Sequence, residues 1–227
     1  MTGFEPIVFD LDGTVVDTVA LIRASFRHAS RVVLGEELPD EVLLAGVGRP
    51  LMDQMRALDA ARAQQLYDAY REFNHRVHDE MIAGFAGMEA ALGRLRAAQR
   101  RLAIVTSKSA DTTAMAFRAV GLREYFDAVV TAGDTSAHKP SAEPLLLALE
   151  RLGAPADRAV YVGDAPVDVA AGKAAGVATV AVLWGVFSPA ALAAAAPDFT
   201  VATPAALADL CLDGTPPAGA PPSRSVA

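Results

Sequence analysis

The sequence predicts an α/β protein: a Rossmann-like parallel sheet core with an inserted α-helical cap domain. Short, continuously apolar runs alternate with helical stretches, which is typical of parallel strands covered on both faces. The interval between the first two runs is far longer than one crossover helix needs. We therefore expect a core domain formed by residues 1–17 and 87–212, and a helical cap formed by residues 18–86.

Six runs are predicted as strands of the core. They are PIVFD ending at Asp10, LAIVT ending at Thr106, AVVT ending at Thr131, AVYVGD ending at Asp164, TVAVLW ending at Trp184 and DFTV ending at Val201. The runs are short, rich in β-branched residues and separated by helical patterns, as in a parallel sheet. A short helix that continues through Leu210 is expected to follow the last strand.

Within the cap, an apolar stripe predicts one long helix. Spacings of four, three, four and four residues separate its members, which are Leu66, Tyr70, Phe73, Val77 and Met81. The chain crosses between the two domains near Gly13–Asp17 and Gly84–Met88, where glycine can absorb backbone rotation. Asp17 is predicted to be the N-cap of the first cap helix.

Composition narrows the class of protein. A chain of 227 residues, 52% hydrophobic, can bury a full core. Its net charge of −7 and scattered basic residues argue against a nucleic-acid partner. The single cysteine, Cys211, excludes an internal disulfide, and no apolar run reaches the roughly 20 residues of a membrane helix. We expect a cytoplasmic protein without a membrane partner, a monomer or a homodimer, with a disordered tail over residues 213–227.

Polar residues follow the predicted strands, and the carboxyl ends of parallel strands meet at one edge of a sheet. These residues are Asp10, Asp12, Gly13 and Thr14, then Thr106, Ser107 and Lys108, then Asp134 and Lys139, then Asp164 and Asp168. The carboxylates of Asp10, Asp12 and Asp164 make an oxygen-rich site that suits Mg²⁺. Thr106 and Lys139 can donate to a phosphoryl group beside the metal, so the set predicts phosphoryl transfer.

Four motifs in order resemble the haloacid dehalogenase superfamily. They are DLDGT at Asp10–Thr14, VTS at Val105–Ser107, HKP at His138–Pro140 and GDAPVD at Gly163–Asp168. The resemblance implies that Asp10 is a nucleophile forming an aspartyl phosphate and that Asp12 is the general acid and base. It also implies that Asp10, Asp12 and Asp164 hold Mg²⁺ with support from Asp168. Thr106 and Lys139 then bind phosphate.

The substrate side of the site is predicted from position. Gly13, Thr14 and Ser107 adjoin the motif residues and are expected to bind substrate. Arg49, in the cap turn GVGRP, can recognise an anion with its planar fork, although a solvent-facing arginine is an equal alternative. We interpret Lys108 as solvent-facing. A zinc site at His75 and His78 is rejected, because no third nitrogen or sulfur ligand is nearby.

The insertion after the first motif resembles the helical-cap subgroup, which implies a small phosphorylated metabolite as substrate. A phosphoglycolate-like compound is favoured, with inorganic pyrophosphate as an alternative. A sugar-phosphate mutase and a non-catalytic binding protein also stay open. The segment FAGM, Phe85–Met88, replaces the PxPG common in this subgroup, so we expect the hinge to differ in stiffness.

Overall fold

The computed structural model describes residues 3–214. Its strands are β1 (Ile7–Phe9), β2 (Val16–Asp17), β3 (Ala83–Gly84), β4 (Leu102–Val105), β5 (Ala128–Val130), β6 (Val160–Gly163), β7 (Ala178–Val182) and β8 (Phe199–Val201). Six of them form a parallel sheet in the order β5-β4-β1-β6-β7-β8. The predicted α/β class is confirmed, and each of the six predicted runs overlaps one strand of this sheet; β7 begins one residue before its run, at Ala178.

The helices are α1 (Val19–Ala29), α2 (Asp40–Leu43), α3 (Leu51–Leu58), α4 (Ala63–Met81), α5 (Met88–Ala97), α6 (Ala110–Val120), α7 (Glu143–Leu152), α8 (Pro166–Ala174), α9 (Pro189–Ala194) and α10 (Pro204–Asp213). A π-helical turn, Ser30–Leu34, continues α1, and a 3₁₀ turn spans Arg123–Tyr125. None of the helices in residues 3–214 is long and apolar enough to cross a membrane. The predicted tail begins inside α10, and its residues 215–227 lie outside the described part of the chain.

Both faces of the sheet are buried, which explains why the strand sequences are apolar without alternation. Along β1, Ile7 and Phe9 point into one core cluster and Val8 into the other. The first cluster also contains Leu92 and Leu95 of α5, and the second contains Leu145 and Leu149 of α7. The central strand is therefore rigidly held, and the residue that follows it, Asp10, has a fixed position.

A third apolar cluster lies within the segment predicted as the cap, with buried members between Ile22 and Tyr70, and Val186 and Phe187 after β7 pack against it. Phe26 of α1 packs edge-on against Tyr70 of α4, with ring centroids 4.9 Å apart. The predicted stripe is buried at Leu66 and Tyr70, but further along α4 the buried positions are Asn74 and His78. Phe73, Val77 and Met81 are only half-buried.

The buried line of α4 turns polar at Asn74, which meets a polar partner on α1. The Asn74 amide donates to the Ser25 hydroxyl (3.1 Å), which donates in turn to the Leu21 carbonyl (2.7 Å). A buried amide is tolerated where such a partner exists. The spacing of apolar residues alone therefore does not identify the buried face of α4.

The two crossings between core and cap lie side by side. β2 and β3 pair antiparallel, Val16 with Gly84 and Asp17 with Ala83. The N-cap position of α1 is Thr18, one residue later than predicted. The Asp17 carboxylate nevertheless accepts a hydrogen bond from the N–H of Val19 (3.2 Å), so it stabilises the start of the helix from outside the cap position.

Candidate active site

A buried lysine joins two aspartates at the carboxyl edge of the sheet. Asp10 follows β1, and its Oδ1 accepts a hydrogen bond from Lys139 Nζ at 2.8 Å. Lys139 Nζ also donates to Asp168 Oδ1 at 2.7 Å. None of the three side chains is more than 5% exposed. The predicted nucleophile is therefore fixed by a charge-assisted bond in a nearly dry environment.

Asp168 holds this lysine instead of facing open space. Besides Lys139, its Oδ1 accepts from the hydroxyl of Tyr161 (3.1 Å), and its Oδ2 accepts from the N–H of Ala165 (3.0 Å) at the start of α8. Both oxygens are thus engaged by protein donors. Tyr161 is a residue that the motifs did not reveal; its place on β6, one strand from Asp10, brings its hydroxyl to the site.

Gly13 and Thr14, which we predicted to bind substrate, contact Asp164 and are not among the residues that line the cavity described below. A Cβ at Gly13, where φ is +73°, would lie 2.4 Å from Asp164 Oδ2, so only glycine allows the turn to approach this carboxylate. The Thr14 hydroxyl donates to Asp164 Oδ1 at 3.4 Å. The N–H of Val186 donates to Asp164 Oδ2 at 2.6 Å. The turn after β1 therefore serves to position Asp164.

Burial raises the pKa values of Asp10 and Asp164. For Asp10, burial outweighs the lowering effect of the Lys139 ammonium, and its pKa rises to about 7. Burial, with repulsion from Asp168 and Asp10, raises the pKa of Asp164 well above its usual range. Burial alone lowers the pKa of Lys139, but Asp10 and Asp168 outweigh it and keep the ammonium protonated. Three buried carboxyl groups share one buried cation, which leaves an excess of negative charge.

This excess fits a divalent cation. Asp10, Asp164 and Asp168 each offer a carboxylate oxygen, and these oxygens lie within 4.8 Å of one another. Carboxylate oxygens are the ligands that Mg²⁺ prefers. Asp168 accepts from the charged Lys139 ammonium, whereas the donors to Asp164 are the neutral Thr14 hydroxyl and Val186 N–H, so Asp164 keeps more of its negative charge for a cation. The chemistry of the donor set is thus that of a hard cation site.

Lys108 pairs with Asp12, so its interpretation as a solvent-facing residue is wrong. Its Nζ donates to Asp12 Oδ1 at 2.5 Å, and the side chain is 14% exposed. The backbone N–H of Lys108 donates to the Thr106 hydroxyl (3.2 Å). The loop after β4 therefore brings Lys108 back to the sheet edge. The position of Lys108 directly after the VTS motif is the sequence signal that marks it as a site residue.

These groups surround a cavity of about 240 Å³. The core contributes its base, including Asp10, Asp12, Thr106, Lys108, Lys139 and Asp164. The cap contributes an apolar and aromatic wall with a few polar groups, including Phe26, Leu51, Tyr67, Tyr70, Arg71, Asn74 and His75. We refer to these two sets as the floor and the roof.

Arg49 does not line the cavity. It is exposed, while its neighbour Gly48 faces the core. The Gly48 carbonyl accepts a hydrogen bond from the Ser107 hydroxyl at 2.7 Å. A Cβ at Gly48, where φ is +95°, would lie 2.5 Å from Val167 Cγ1. The GVGRP turn therefore rests on the floor through Gly48, and Ser107, which does line the cavity, anchors this contact.

Asp134, which follows β5, has a structural role. Asp134 accepts hydrogen bonds from the N–H and hydroxyl of Thr131 (both 2.7 Å) and pairs with Arg151 (2.6 Å), so it closes the turn after β5. The Arg151 and Thr131 bonds outweigh burial and lower the pKa of Asp134 to about 2.

The two histidines of α4 have different surroundings. His75 lines the cavity, whereas His78 is buried and contacts Asp79.

Comparison with known proteins agrees with this geometry. Residues 7–182, which include all four motifs, match the family model of haloacid dehalogenase-like hydrolases. The chain is 38% identical over 193 residues to pyrophosphatase PpaX of Bacillus velezensis, covering 85% of this chain and 89% of that protein. It is 37% identical over 196 residues to pyrophosphatase PpaX of Bacillus pumilus, with the same coverage of each.

Solved structures share the fold. One from Haemophilus somnus, described as a predicted phosphoglycolate phosphatase, has a TM-score of 0.80 at 23% identity and covers 95% of this chain and 100% of that chain. Since the family match spans well over half of the sequence and contains the residues of the floor, the protein belongs to the haloacid dehalogenase-like hydrolase family.

Proposed function

We propose that the protein is a divalent-metal-dependent phosphatase that acts on a small phosphorylated metabolite. The observation that carries this proposal is the buried Asp10, held by Lys139 at the floor of a cavity of about 240 Å³. This volume is below the range of sites for drug-sized ligands, so the substrate must be small. The resemblance of the four motifs to phosphatases of the family supports the same activity.

In the first step, an Asp10 carboxylate oxygen attacks the phosphorus and the bond to the leaving-group oxygen breaks. The product is an aspartyl phosphate. Asp12 enters this step protonated from solvent and gives that proton to the leaving oxygen, after which its carboxylate pairs with Lys108. Lys139 holds Asp10 through Oδ1, while Oδ2 accepts no hydrogen bond from the described residues 3–214. We therefore assign Oδ2 as the attacking oxygen.

In the second step, Asp12 takes a proton from a water molecule that attacks the phosphorus of the aspartyl phosphate. The bond to Asp10 breaks, inorganic phosphate leaves and Asp10 is restored as a carboxylate. Lys108 fixes the Asp12 side chain through its 2.5 Å contact. Thr106, which accepts its hydrogen bond from the Lys108 N–H, keeps its own hydroxyl proton to donate to a phosphoryl oxygen.

We assign Mg²⁺ as the cation, held by the carboxylates of Asp10 and Asp164 and the backbone carbonyl of Asp12. When bound, it supplies positive charge that offsets the repulsion between an anionic phosphate and an anionic nucleophile. Asp168 contributes by holding Lys139 and by its charge. The raised pKa values of Asp10 and Asp164 support this assignment, because buried carboxylates without a cation are costly.

Inorganic pyrophosphate is the first candidate substrate. Relatives at 37–38% identity are described as pyrophosphatases, which supports a phosphoanhydride over a phosphoglycolate-like monoester. Phosphoglycolate is the second candidate, since it is equally small and also carries a second anionic group. A mutase on the same fold would instead return the phosphate to a sugar.

The test is phosphate release from pyrophosphate, phosphoglycolate, nucleoside monophosphates and sugar phosphates, with Mg²⁺ or with EDTA. We expect Mg²⁺-dependent release, with pyrophosphate preferred, and its loss in Asp10→Asn, whose amide is a poor nucleophile. Phosphate release by a pure and folded Asp10→Asn protein would refute the mechanism. Turnover of a sugar monophosphate only with a sugar bisphosphate present would favour the mutase instead.

A further inference from the structure

Arg71 is a cavity cation without a carboxylate partner. It lies on α4 and is half-buried. Its Nη1 donates to the Tyr67 hydroxyl at 3.2 Å, and its Nη2 lies 3.4 Å from Nε2 of His75. Among residues 3–214, no aspartate or glutamate forms an ion pair with this guanidinium. Both of its hydrogen-bonding contacts are thus neutral groups of the same helix.

The other cations of the cavity are already neutralised. Lys139 contacts Asp10 and Asp168, and Lys108 contacts Asp12. Within residues 3–214, Arg71 is thus the cation of the cavity lining that has no carboxylate partner. Arg71 therefore brings a charge that no described carboxylate neutralises to the lining of the cavity that also contains Asp10.

The surroundings hold Arg71 in a defined orientation. Its guanidinium carbon lies 5.7 Å from the centroid of the Tyr67 ring, which is a cation–π distance. Burial and the neighbouring Arg71 charge lower the pKa of His75, with a smaller effect from Lys108. The roof beside Arg71 is thus electropositive, and a neutral imidazole can add a hydrogen bond to an anion held there.

We infer that Arg71 binds a second anionic group, a phosphate or a carboxylate, on the substrate whose phosphoryl group reacts at Asp10. This inference rests on the proposed function. The planar fork of the guanidinium matches either anion in a bidentate way. It also assigns to Arg71 the anion recognition that the sequence had suggested for Arg49, which is exposed and outside the cavity.

The test compares substrates with and without a second anion. For Arg71→Gln, kcat/KM for pyrophosphate and phosphoglycolate should fall about 10- to 100-fold, the range expected for a lost charge-assisted hydrogen bond. For 4-nitrophenyl phosphate, which has no second anion, the fall should be less than about threefold. Whichever of the first two substrates shows the larger fall carries the anion that Arg71 prefers. Arg71→Lys should recover part of the loss because it restores the charge without the fork.

The matched control is Arg76→Gln on the same helix. Arg76 is exposed, pairs with Glu72 at 3.7 Å and does not line the cavity. It should leave all three kcat/KM values unchanged. Equal losses on all three substrates in Arg71→Gln, or no loss on any, would overturn the inference while leaving the proposed phosphatase intact.

Binding gives a second readout that does not depend on turnover. Methylenediphosphonate, a non-hydrolysable analogue of pyrophosphate, should bind the wild type in the presence of Mg²⁺ about 10-fold or more tightly than it binds Arg71→Gln. Equal affinities in calorimetry would also overturn the inference. A wild type that binds the analogue but hydrolyses none of the three substrates would refute the proposed function and support the anion subsite.

Discussion

The floor and the roof of the cavity differ in how their polar groups are held. On the floor, Asp10, Asp168 and Lys139 form one buried network in which each charge contacts another. In the roof, apolar and aromatic side chains dominate, and Arg71 contacts only neutral groups. The floor is preorganised for one reaction, whereas the roof leaves binding capacity for whatever part of the substrate does not react.

The two halves also differ in what attaches them to the rest of the molecule. The floor residues follow the ends of buried strands, so the two apolar clusters that pack against the sheet fix their positions. The roof rests on a smaller apolar cluster, and it meets the core at the Gly48 turn, at the paired strands β2 and β3 and at Val186 and Phe187 after β7. Substitutions in the floor should therefore lower both the unfolding free energy and the rate of the reaction. Substitutions at the contact between roof and floor should lower activity with little change in the unfolding free energy.

The largest effect is expected for Lys139→Met, measured without metal. Methionine removes the cation and leaves Asp10 and Asp168 buried without their shared partner. Loss of one member of a buried pair costs about 3–5 kcal/mol of unfolding free energy. Urea denaturation in EDTA measures this, and phosphate release should also be abolished.

Lys108→Met is the control for that variant. The Lys108–Asp12 pair is partly exposed, at 14% and 17% for the two side chains. Its loss should cost about 1 kcal/mol or less. Equal costs for the two lysines would show that burial does not set the stability of the floor, and would break the contrast drawn above.

The sequence predicted the floor well because position along a strand is sufficient to place a strand-end residue. Asp10, Thr106 and Asp164 each follow a run that is buried on both faces, and the parallel order brings them together. Lys108 was misjudged because the loop after β4 folds back, and loop direction has no periodic signal.

The roof was harder to predict because its site residues depend on how α4 is rotated against α1. The buried line of α4 contains Asn74 and His78 in place of the apolar Phe73 and Val77, so the helix face could not be read from apolar spacing alone. Arg71 lies on that helix and carries no motif. The position of Arg49 in the GVGRP turn predicted an anion-binding role, but in that turn it is Gly48 that contacts the core, at Val167.

A smaller effect is expected from pH on the metal-free protein. The pKa of Asp10 is about 7 in the folded state against 3.8 for an ordinary aspartate. Between about pH 4 and pH 7 the folded chain keeps a proton on Asp10 that the unfolded chain has released. The stabilisation of the folded state by this proton is therefore complete below about pH 4 and is lost as the pH rises through about 7. We expect the unfolding free energy in EDTA to fall by at most about 4 kcal/mol across this window, since each pKa unit corresponds to about 1.4 kcal/mol.

Two additions to that experiment isolate the cause. Mg²⁺ should restore most of the lost stability at about pH 7.5, because it binds only the folded site. Asp10→Asn should flatten the pH dependence, since the titrating group is gone. A metal-free wild type that becomes more stable over the same window would contradict the excess negative charge of the floor.

The smallest effect on stability is expected at the contact between roof and floor. Gly48 has φ of +95°, and an added Cβ would lie 2.5 Å from Val167 Cγ1; Gly153 has φ of +59° and open space around it. Alanine at either position costs about 1 kcal/mol of backbone strain. Only Gly48→Ala should also lift the turn off the floor, weaken the Ser107 bond and lower kcat/KM about tenfold or more. Adding Val167→Ala removes the clash and should return part of the activity. If Gly153→Ala lowered kcat/KM as much, or if the double variant recovered nothing, the turn at Gly48 would not be what holds the roof over the reacting aspartate.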